Sequence, residues 1–365
     1  MSRPLQSAYM QWAKLRSKAR YNLASSGVLG VLREEFTMPI EDLEINGPDG
    51  YGYGLLLQQI AQHTGAPENC IATAAGTSMA NHLAMAAVLQ PGDEVLIEQP
   101  GYGLLVEVAE YLGARVKRFS RRFENGFNID LDELATQVSN STRLIVLSNL
   151  HNPSGAITTA EALRKTGEIA RRTGALVLVD EVYLGMLFEA EPLSAFTLDR
   201  DFEHSAFIVT NSLTKTYGLS GLRCGWILAR PEITRRIWLL NDFFGVNAPH
   251  LAECASVVAF NELARFRERA KRLLAANRAL LDSFLDSRSD LETFRPPAGT
   301  IVFPRLKRGD TQQFIQLLRD KYETSVVPGE FFEMPDHFRI GVGGPTDEVR
   351  KGLDRIGAAL EELKS

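Results

Sequence analysis

Cysteine is scarce in this sequence, which limits the chemistry that the chain can carry. Only Cys70, Cys224 and Cys254 occur among the 365 residues. Three scattered thiols are too few for a disulfide framework or a four-ligand zinc site. The six histidines do not cluster, and the H-E-x-x-H pattern of zinc hydrolases is absent. The sequence therefore predicts no metal centre, and it argues against Ser–His nucleophilic chemistry.

Long apolar runs, net positive charge and nucleotide-binding glycine loops are also missing. No stretch approaches the roughly 18 apolar residues of a membrane span, and residues 1–20 contain no apolar segment of signal-peptide length. Forty basic against 45 acidic residues leave a formal charge of −5, which argues against a nucleic-acid partner. The P-loop pattern is absent, and the glycines at 50, 52 and 54 lack dinucleotide-fingerprint spacing. We expect a soluble, cytoplasmic protein.

The sequence does contain a regular alternation of strand and helix patterns between about residues 68 and 230. Seven short β-branched runs are candidate strands: 70–73, 94–98, 115–119, 144–148, 175–180, 207–210 and 225–229. Several are continuously apolar, which is typical of strands covered on both faces. Thr158 with Glu161, and Asp130 with Glu133, are capping-box patterns that begin helices. The alternation predicts an α/β fold with a mainly parallel, seven-stranded sheet.

The pattern changes towards the C-terminus and predicts a smaller α+β domain. Residues 251–290 look helical, and further strand candidates lie at 300–303, 325–327 and 338–342. The final helix carries apolar residues at helical spacing: Val349, Leu353, Ile356, Leu360 and Leu363. We expect an N-terminal arm over 1–35 that is part of the small domain, a large domain over 36–250 and the small domain over 251–365. Beyond a basic amphipathic helix, the arm shows no recognisable feature.

The most informative segment, residues 210–226, is Thr-Asn-Ser-Leu-Thr-Lys-Thr-Tyr-Gly-Leu-Ser-Gly-Leu-Arg-Cys-Gly-Trp. Its lysine follows a strand end, with a serine three residues earlier and an arginine eight residues later. Upstream lie Ala-Ala-Gly-Thr-Ser-Met-Ala at 74–80, Asn-Pro-Ser-Gly at 152–155 and Val-Asp-Glu-Val-Tyr at 179–183. In this order the motifs resemble the fold-type I pyridoxal-phosphate enzymes, in particular the class I/II aminotransferases.

The resemblance implies pyridoxal 5'-phosphate as the cofactor, with Lys215 forming a Schiff base with its aldehyde. Asp180 would keep the ring nitrogen protonated. Tyr183 and Asn152 would hydrogen-bond the phenolic oxygen of the cofactor, and Tyr102 would stack on its ring. Taken singly, Lys215 could be an ordinary surface lysine, Asp180 a helix cap and Asn152 part of a turn. The strands that precede them favour the functional interpretation.

The resemblance also implies where the cofactor phosphate and the substrate bind. The phosphate would lie at a helix N-terminus with added hydroxyl and guanidinium groups, a set made of Gly76, Thr77, Ser78, Ser212 and Arg223. Arg339 would bind the substrate α-carboxylate as a bidentate fork. Asn152 would also contact the substrate, and the loop at Gly27 would approach it.

Family members receive a tyrosine at the phosphate from the neighbouring subunit. That family position is Asp49 here, whereas Tyr51 and Tyr53 lie slightly further along the chain. We expect Tyr51, rather than Tyr53, to take this role in a homodimer with shared active sites.

The function implied is transfer of an amino group between an amino acid and a 2-oxo acid. A lyase, racemase or cyclase on the same fold is the alternative, and a non-catalytic amino-acid sensor is a weaker one. Phe243, Phe244 and Val246 either favour an apolar substrate or pack at the domain junction.

Overall fold

The computed structural model describes residues 3–48, 50–189, 193–199 and 201–364. Its helices are α1 Ala8–Leu15, α2 Gly54–Thr64, α3 Gly76–Val88, α4 Gly103–Tyr111, α5 Leu131–Gln137, α6 Ala160–Thr173, α7 Pro231–Asn241, α8 His250–Asn261, α9 Leu263–Asp286, α10 Thr311–Asp320 and α11 Thr346–Lys364. Its strands are β1 Tyr21–Asn22, β2 Ile71–Ala75, β3 Glu94–Gln99, β4 Arg115–Ser120, β5 Thr142–Ser148, β6 Leu176–Asp180, β7 Phe207–Ser212, β8 Cys224–Leu228, β9 Leu291–Glu292, β10 Ile301–Val302, β11 Arg305–Leu306, β12 Thr324–Ser325, β13 Val327–Pro328 and β14 Phe338–Gly341.

A large sheet organises the molecule. Within the described residues it has seven strands in the order β2-β8-β7-β6-β5-β3-β4. The strands from β7 to β4 in this order pair in parallel, while β8 is antiparallel to both of its neighbours. The predicted α/β class with a mainly parallel, seven-stranded sheet is confirmed, and each predicted strand lies within two residues of an observed one.

Helices cover both faces of this sheet, which explains why its strands are continuously apolar. Alternate residues of a strand point to opposite faces. In β5, Ile145 and Leu147 pack in one core cluster with α2, α6 and α8, whereas Leu144 and Val146 pack in another with α3, α4 and α7. In β5 the polar residues Thr142, Arg143 and Ser148 therefore lie at the two ends of the strand, where the chain leaves these two apolar layers.

A separate apolar core, away from the two faces of the large sheet, joins the N-terminal segment to the C-terminal elements. Leu281 of α9 packs there with residues of α10 and α11 and with Leu23, and Tyr21 of β1 pairs with Thr324 of β12. Phe266, earlier in α9, packs instead with the large sheet. We therefore propose that the boundary between the two domains runs through α9 rather than at residue 250.

Two helix predictions need correction. Thr159, not Thr158, caps α6 by accepting a hydrogen bond from the Ala162 amide at 3.2 Å. The Thr158 hydroxyl accepts from Arg121 Nη2 at 3.1 Å, so it is engaged elsewhere. The helical stretch after residue 250 is divided at Glu262 into α8 and α9. Within the described residues, no helix combines the length and apolar character needed to cross a membrane.

Candidate active site

The carboxyl ends of the parallel strands border a cavity of about 830 Å³. Ligand sites of open α/β sheets collect at this edge, because successive strands end there. Nine of the residues singled out from the sequence line the cavity: Thr77, Ser78, Tyr102, Asn152, Asp180, Tyr183, Ser212, Lys215 and Arg223. The structure thus brings together side chains that are spread along the chain from Thr77 to Arg223.

Lys215 follows β7, and its amine has an unusual environment. Burial among protein groups disfavours the charged ammonium, and Arg339 adds repulsion, so that its pKa is lowered to about 8 although Asp180 opposes the change. Gly27 packs directly against this side chain, since a Cβ there would lie 3.3 Å from Lys215 Cδ. The amide of Val28 donates to the Lys215 carbonyl at 3.0 Å. The predicted approach of the Gly27 loop is therefore towards the lysine itself.

Asp180 ends β6 with its carboxylate buried. Burial raises its pKa to about 6, against the effect of two hydrogen bonds and of Lys215. Asn81 Nδ2 donates to Oδ2 at 2.8 Å, and the Val182 amide donates to Oδ1 at 3.1 Å. The carboxylate is therefore held in one orientation and remains mostly ionised at neutral pH.

The opposite end of the cavity is built from two glycines and three polar side chains. Thr77 Oγ1 and Ser212 Oγ are 2.8 Å apart. Gly76 begins α3 with φ +78°, and a Cβ at this position would collide with the Arg223 guanidinium. Gly225 is needed as well, because its Cβ would lie 2.6 Å from the Gly76 backbone. Helix amides, hydroxyls and a guanidinium converge here, a donor set that suits a phosphate.

Arg339 in β14 is buried and contacts three different segments. Its Nη1 donates to Asn152 Oδ1 at 2.8 Å, and its Nη2 donates to Ala24 O at 3.1 Å and to the Tyr9 hydroxyl at 3.2 Å. Its Nε is buried without a hydrogen-bond partner among the described residues. Arg339 itself does not line the 830 Å³ cavity, but its three partners Tyr9, Ala24 and Asn152 do. A buried guanidinium with an unused donor directly behind the cavity wall suits an anionic ligand.

Asn152 and Tyr183 are both held by neighbouring hydroxyls. The backbone amide of Asn152 donates to Ser148 Oγ at 3.0 Å, and Ser148 Oγ in turn donates to Glu98 Oε1 at 2.6 Å. The Tyr183 hydroxyl is 2.8 Å from Ser26 Oγ, and burial raises its pKa to about 12. Tyr183 therefore stays a neutral hydrogen-bonding group throughout the physiological range.

Several residues of this site were not identified from the sequence patterns. The N-terminal arm was given no role, but Tyr9, Met10 and Trp12 of α1 form part of the cavity wall. Ser26 and Asn81 were missed too. Asn81 left a usable signal, since it lies three residues after Ser78 on one face of an otherwise alanine-rich helix. The position of α1 depends on contacts with distant segments, which no local pattern shows.

Other expected residues lie outside the cavity. The Tyr51 hydroxyl donates to Asp242 Oδ2 at 3.0 Å, and Tyr53 packs edge-on against His250, with ring centroids 4.7 Å apart. Neither tyrosine lines the 830 Å³ cavity in the described part of the chain, and the contact of Tyr51 with a partner's phosphate stays a prediction. Asp49 lies outside the described residues.

The apolar residues after α7 lie at the surface of the single chain. Phe243, Phe244 and Val246 have exposed fractions of 84%, 54% and 61%. They neither line the 830 Å³ cavity nor pack at a domain junction, because the chain turns at the surface between α7 and α8.

The cavity fits the pyridoxal phosphate that the sequence motifs imply. A carboxylate fixed at the end of β6 suits the ring nitrogen, and the donor set around Gly76 suits the phosphate. The Lys215 amine, with its lowered pKa, suits the aldehyde. These three groups belong to one cavity system, although they come from separate loops.

Comparisons with known proteins agree with this geometry. The profile of aminotransferase class I and II matches residues 45–356. Capreomycidine synthase of Streptomyces vinaceus is 30% identical over 296 residues, covering 80% of this chain and 75% of that protein. Arginine–pyruvate transaminase of Pseudomonas aeruginosa is 29% identical over 297 residues, covering 79% and 74%. The crystal structure of a PLP-dependent aminotransferase from Streptococcus suis has a TM-score of 0.92 at 25% identity, with both chains fully covered.

Proposed function

The chain belongs to the class I and II aminotransferase family, and from this premise we propose that it transfers an amino group between an amino acid and a 2-oxo acid through Lys215. Pyridoxal 5'-phosphate is its cofactor. The observation that supports the proposal best is electrostatic. Burial and the positive charge of Arg339 lower the pKa of Lys215 to about 8, while the negative charge of Asp180 opposes this change. An amine in this state can both accept and release a proton near neutral pH.

Five polar residues of the cavity have a role in this reaction. When bound, the cofactor withdraws electrons from the Cα of an attached amino acid, which makes the Cα proton acidic. Lys215 Nζ removes that proton and later returns it. Asp180 carries the negative charge that keeps the ring nitrogen protonated, and Asn81 orients its carboxylate. Tyr183 and Asn152 supply hydrogen-bonding groups beside Lys215.

Binding of the substrate carboxylate to Arg339 orients the reacting bond. A planar guanidinium holds a carboxylate with two parallel hydrogen bonds, so it fixes the direction of the groups on Cα. Gly76, Thr77, Ser78, Ser212 and Arg223 hold the phosphate. These contacts leave the substrate side of the cavity to residues of the N-terminal segment.

Cyclisation is the second candidate reaction, and the 30% identity to a capreomycidine synthase favours it over a lyase or racemase reaction. Transamination and cyclisation require the same proton removal at Cα, so the residues described above serve either. The outcomes differ in product: transamination consumes a 2-oxo acid, whereas cyclisation does not. Incubation of the holoenzyme with amino acids, with and without pyruvate, therefore separates the two candidates.

We also propose a cytoplasmic homodimer in which each active site is completed by the other subunit. Apolar side chains around Tyr51 are exposed, including Leu55 at 52% and Phe243 at 84%. Exposed apolar residues next to one another are typical of protein interfaces. The three cysteines are free and buried, which suits a reducing compartment.

Reduction with borohydride tests the assignment of Lys215. The purified protein with added pyridoxal phosphate should be yellow, and reduction should attach the pyridoxyl group to the peptide that contains Lys215. A Lys215→Ala variant should lose the label, while Lys321→Ala, which removes an exposed lysine bonded to Glu362, should keep it. Label on another lysine, or no amino transfer with any of the twenty amino acids, would contradict the proposed function.

A further inference from the structure

Tyr9 is held against the active site by aromatic contacts. Its ring is edge-on to Tyr102 with centroids 5.6 Å apart, and it lies 5.7 Å from Phe331 and 6.1 Å from Phe332. The helix that carries it, α1, has no fully buried residue of its own. These ring contacts therefore contribute much of the attachment of α1 to the cavity wall.

The Tyr9 hydroxyl accepts a hydrogen bond but does not donate one in the described part of the chain. A guanidinium only donates hydrogen bonds, so the 3.2 Å contact with Arg339 Nη2 makes the Tyr9 oxygen an acceptor. The phenolic proton of Tyr9 finds no acceptor among the described residues, and the side chain lines the cavity. Arg339 Nε also lacks a partner in this part of the chain. Two side chains from separate segments that contact each other thus each carry a donor without an acceptor in the described structure.

A carboxylate would satisfy both donors. It offers two oxygens with about four acceptor positions, more than one guanidinium can occupy. We propose that Tyr9 is a substrate-binding residue, whose hydroxyl donates a hydrogen bond to the α-carboxylate held by Arg339. The inference rests on the proposed function, because it assumes an amino acid in this cavity. It gives α1 a direct part in recognising the group that all α-amino acids share.

A pair of substrates that differ only in the carboxylate tests this role. The amino acid that reacts fastest is compared with the amine that lacks its carboxylate. In Tyr9→Phe, kcat/KM for the amino acid should fall about tenfold, the effect expected for a hydrogen bond to a charged group. Most of this change should be in KM. The value for the amine should stay within about twofold of wild type, because no carboxylate is present to lose the contact.

Tyr21→Phe is the matched control. Tyr21 is a buried tyrosine whose hydroxyl, like that of the half-buried Tyr9, accepts from an arginine, Arg355 Nη2 of α11 at 3.5 Å, but its side chain does not line the 830 Å³ cavity. This variant should leave kcat/KM for both substrates unchanged. A merely structural role of Tyr9 would lower the values for the amino acid and the amine equally, and that result would overturn the inference.

A binding measurement separates failure of this inference from failure of the proposed function. Calorimetric titration of the holoenzyme with 3-phenylpropionate needs no turnover. The Kd should rise about tenfold in Tyr9→Phe, and 3-phenylpropanamide, which lacks the charge, should bind both proteins equally. Equal binding of the acid to both proteins overturns the role of Tyr9 even if amino transfer is intact. If no amino transfer occurs but the Kd changes as expected, the proposed function is wrong and the role of Tyr9 in binding the carboxylate is supported. No binding of the acid to wild type overturns the carboxylate site and the inference with it.

Discussion

The side-chain amide of Asn81 donates to Asp180 Oδ2 at 2.8 Å, while its oxygen accepts from the Thr210 hydroxyl at 2.6 Å. Asp180 fixes which end of the Asn81 amide faces it, because an ionised carboxylate only accepts hydrogen bonds and therefore takes the amide nitrogen. The amide oxygen is then left to accept from the Thr210 hydroxyl. This chain of bonds links α3 to β6 and β7, so Asp180 is oriented by the sheet and not only by its own backbone.

Asp180→Asn should keep the cofactor but lose most of its turnover. The phosphate donors around Gly76 and Arg223 are unaffected, whereas a neutral amide cannot stabilise a protonated ring nitrogen. We expect kcat to fall by about a hundredfold or more, the usual scale for a group that controls proton chemistry. Visible absorbance reports retention of the cofactor, and steady-state assays report kcat. Turnover close to wild type would show that Asp180 does not have this role.

The reactivity of Lys215 in the cofactor-free protein should depend on pH with a midpoint near 8. Its pKa is lowered to about 8, so the reactive neutral amine predominates above this pH and is lost as the pH falls. The rate of attachment of added pyridoxal phosphate should rise with pH, reach half of its maximum near pH 8 and level off above about pH 9. Stopped-flow absorbance from pH 6 to 10 measures this profile.

Arg339→Leu provides the check on the cause of that shift. Removal of a positive charge near Lys215 should move the midpoint to higher pH, whereas Arg355→Leu, far from the cavity, should not change it. A rate that is independent of pH between 6 and 9 would contradict the assignment.

The protein should sediment as a dimer whose active sites depend on both chains. Tyr51→Phe should weaken retention of the cofactor, and Tyr53→Phe should weaken it less. Inactive Lys215→Ala chains mixed with Tyr51→Phe chains should regain partial activity, because one of the two mixed sites combines intact residues. A fully active monomer would refute the shared site, and the opposite order of the two tyrosine variants would assign the role to Tyr53.

The large sheet and the centre of the site could be predicted because their signals are local. Continuously apolar strands must be covered on both sides, and polar residues directly after them, such as Asp180 and Ser212, must lie at one edge of the sheet. The lysine motif adds a spacing that few other chains share. These features depend on neighbouring residues in the sequence and on little else.

The residues that were missed depend on contacts between distant segments. Ser26 meets Tyr183 across 157 residues of chain, and Tyr9 meets Arg339 across 330. Neither pair has a periodicity or motif that connects its members. Phe243 shows a different limit: an apolar residue between two helices was expected in a substrate pocket or at the domain junction, but in the single chain it lies at the surface.

The pairing of β1 with β12 implies that parts of the active site form at different times while the chain is being synthesised. Tyr9 and Tyr21 leave the ribosome long before the segments that they contact, and at 5–20 residues per second the 330 residues to Arg339 take roughly 15 to 65 seconds. During this interval Tyr9 can contact Tyr102 but not Phe331, Phe332 or Arg339, which are not yet synthesised, while the strands of the large sheet can already pair. The carboxylate site is therefore expected to form after the large sheet, and an incomplete nascent chain can hold the elements around Lys215 without being able to bind an amino acid.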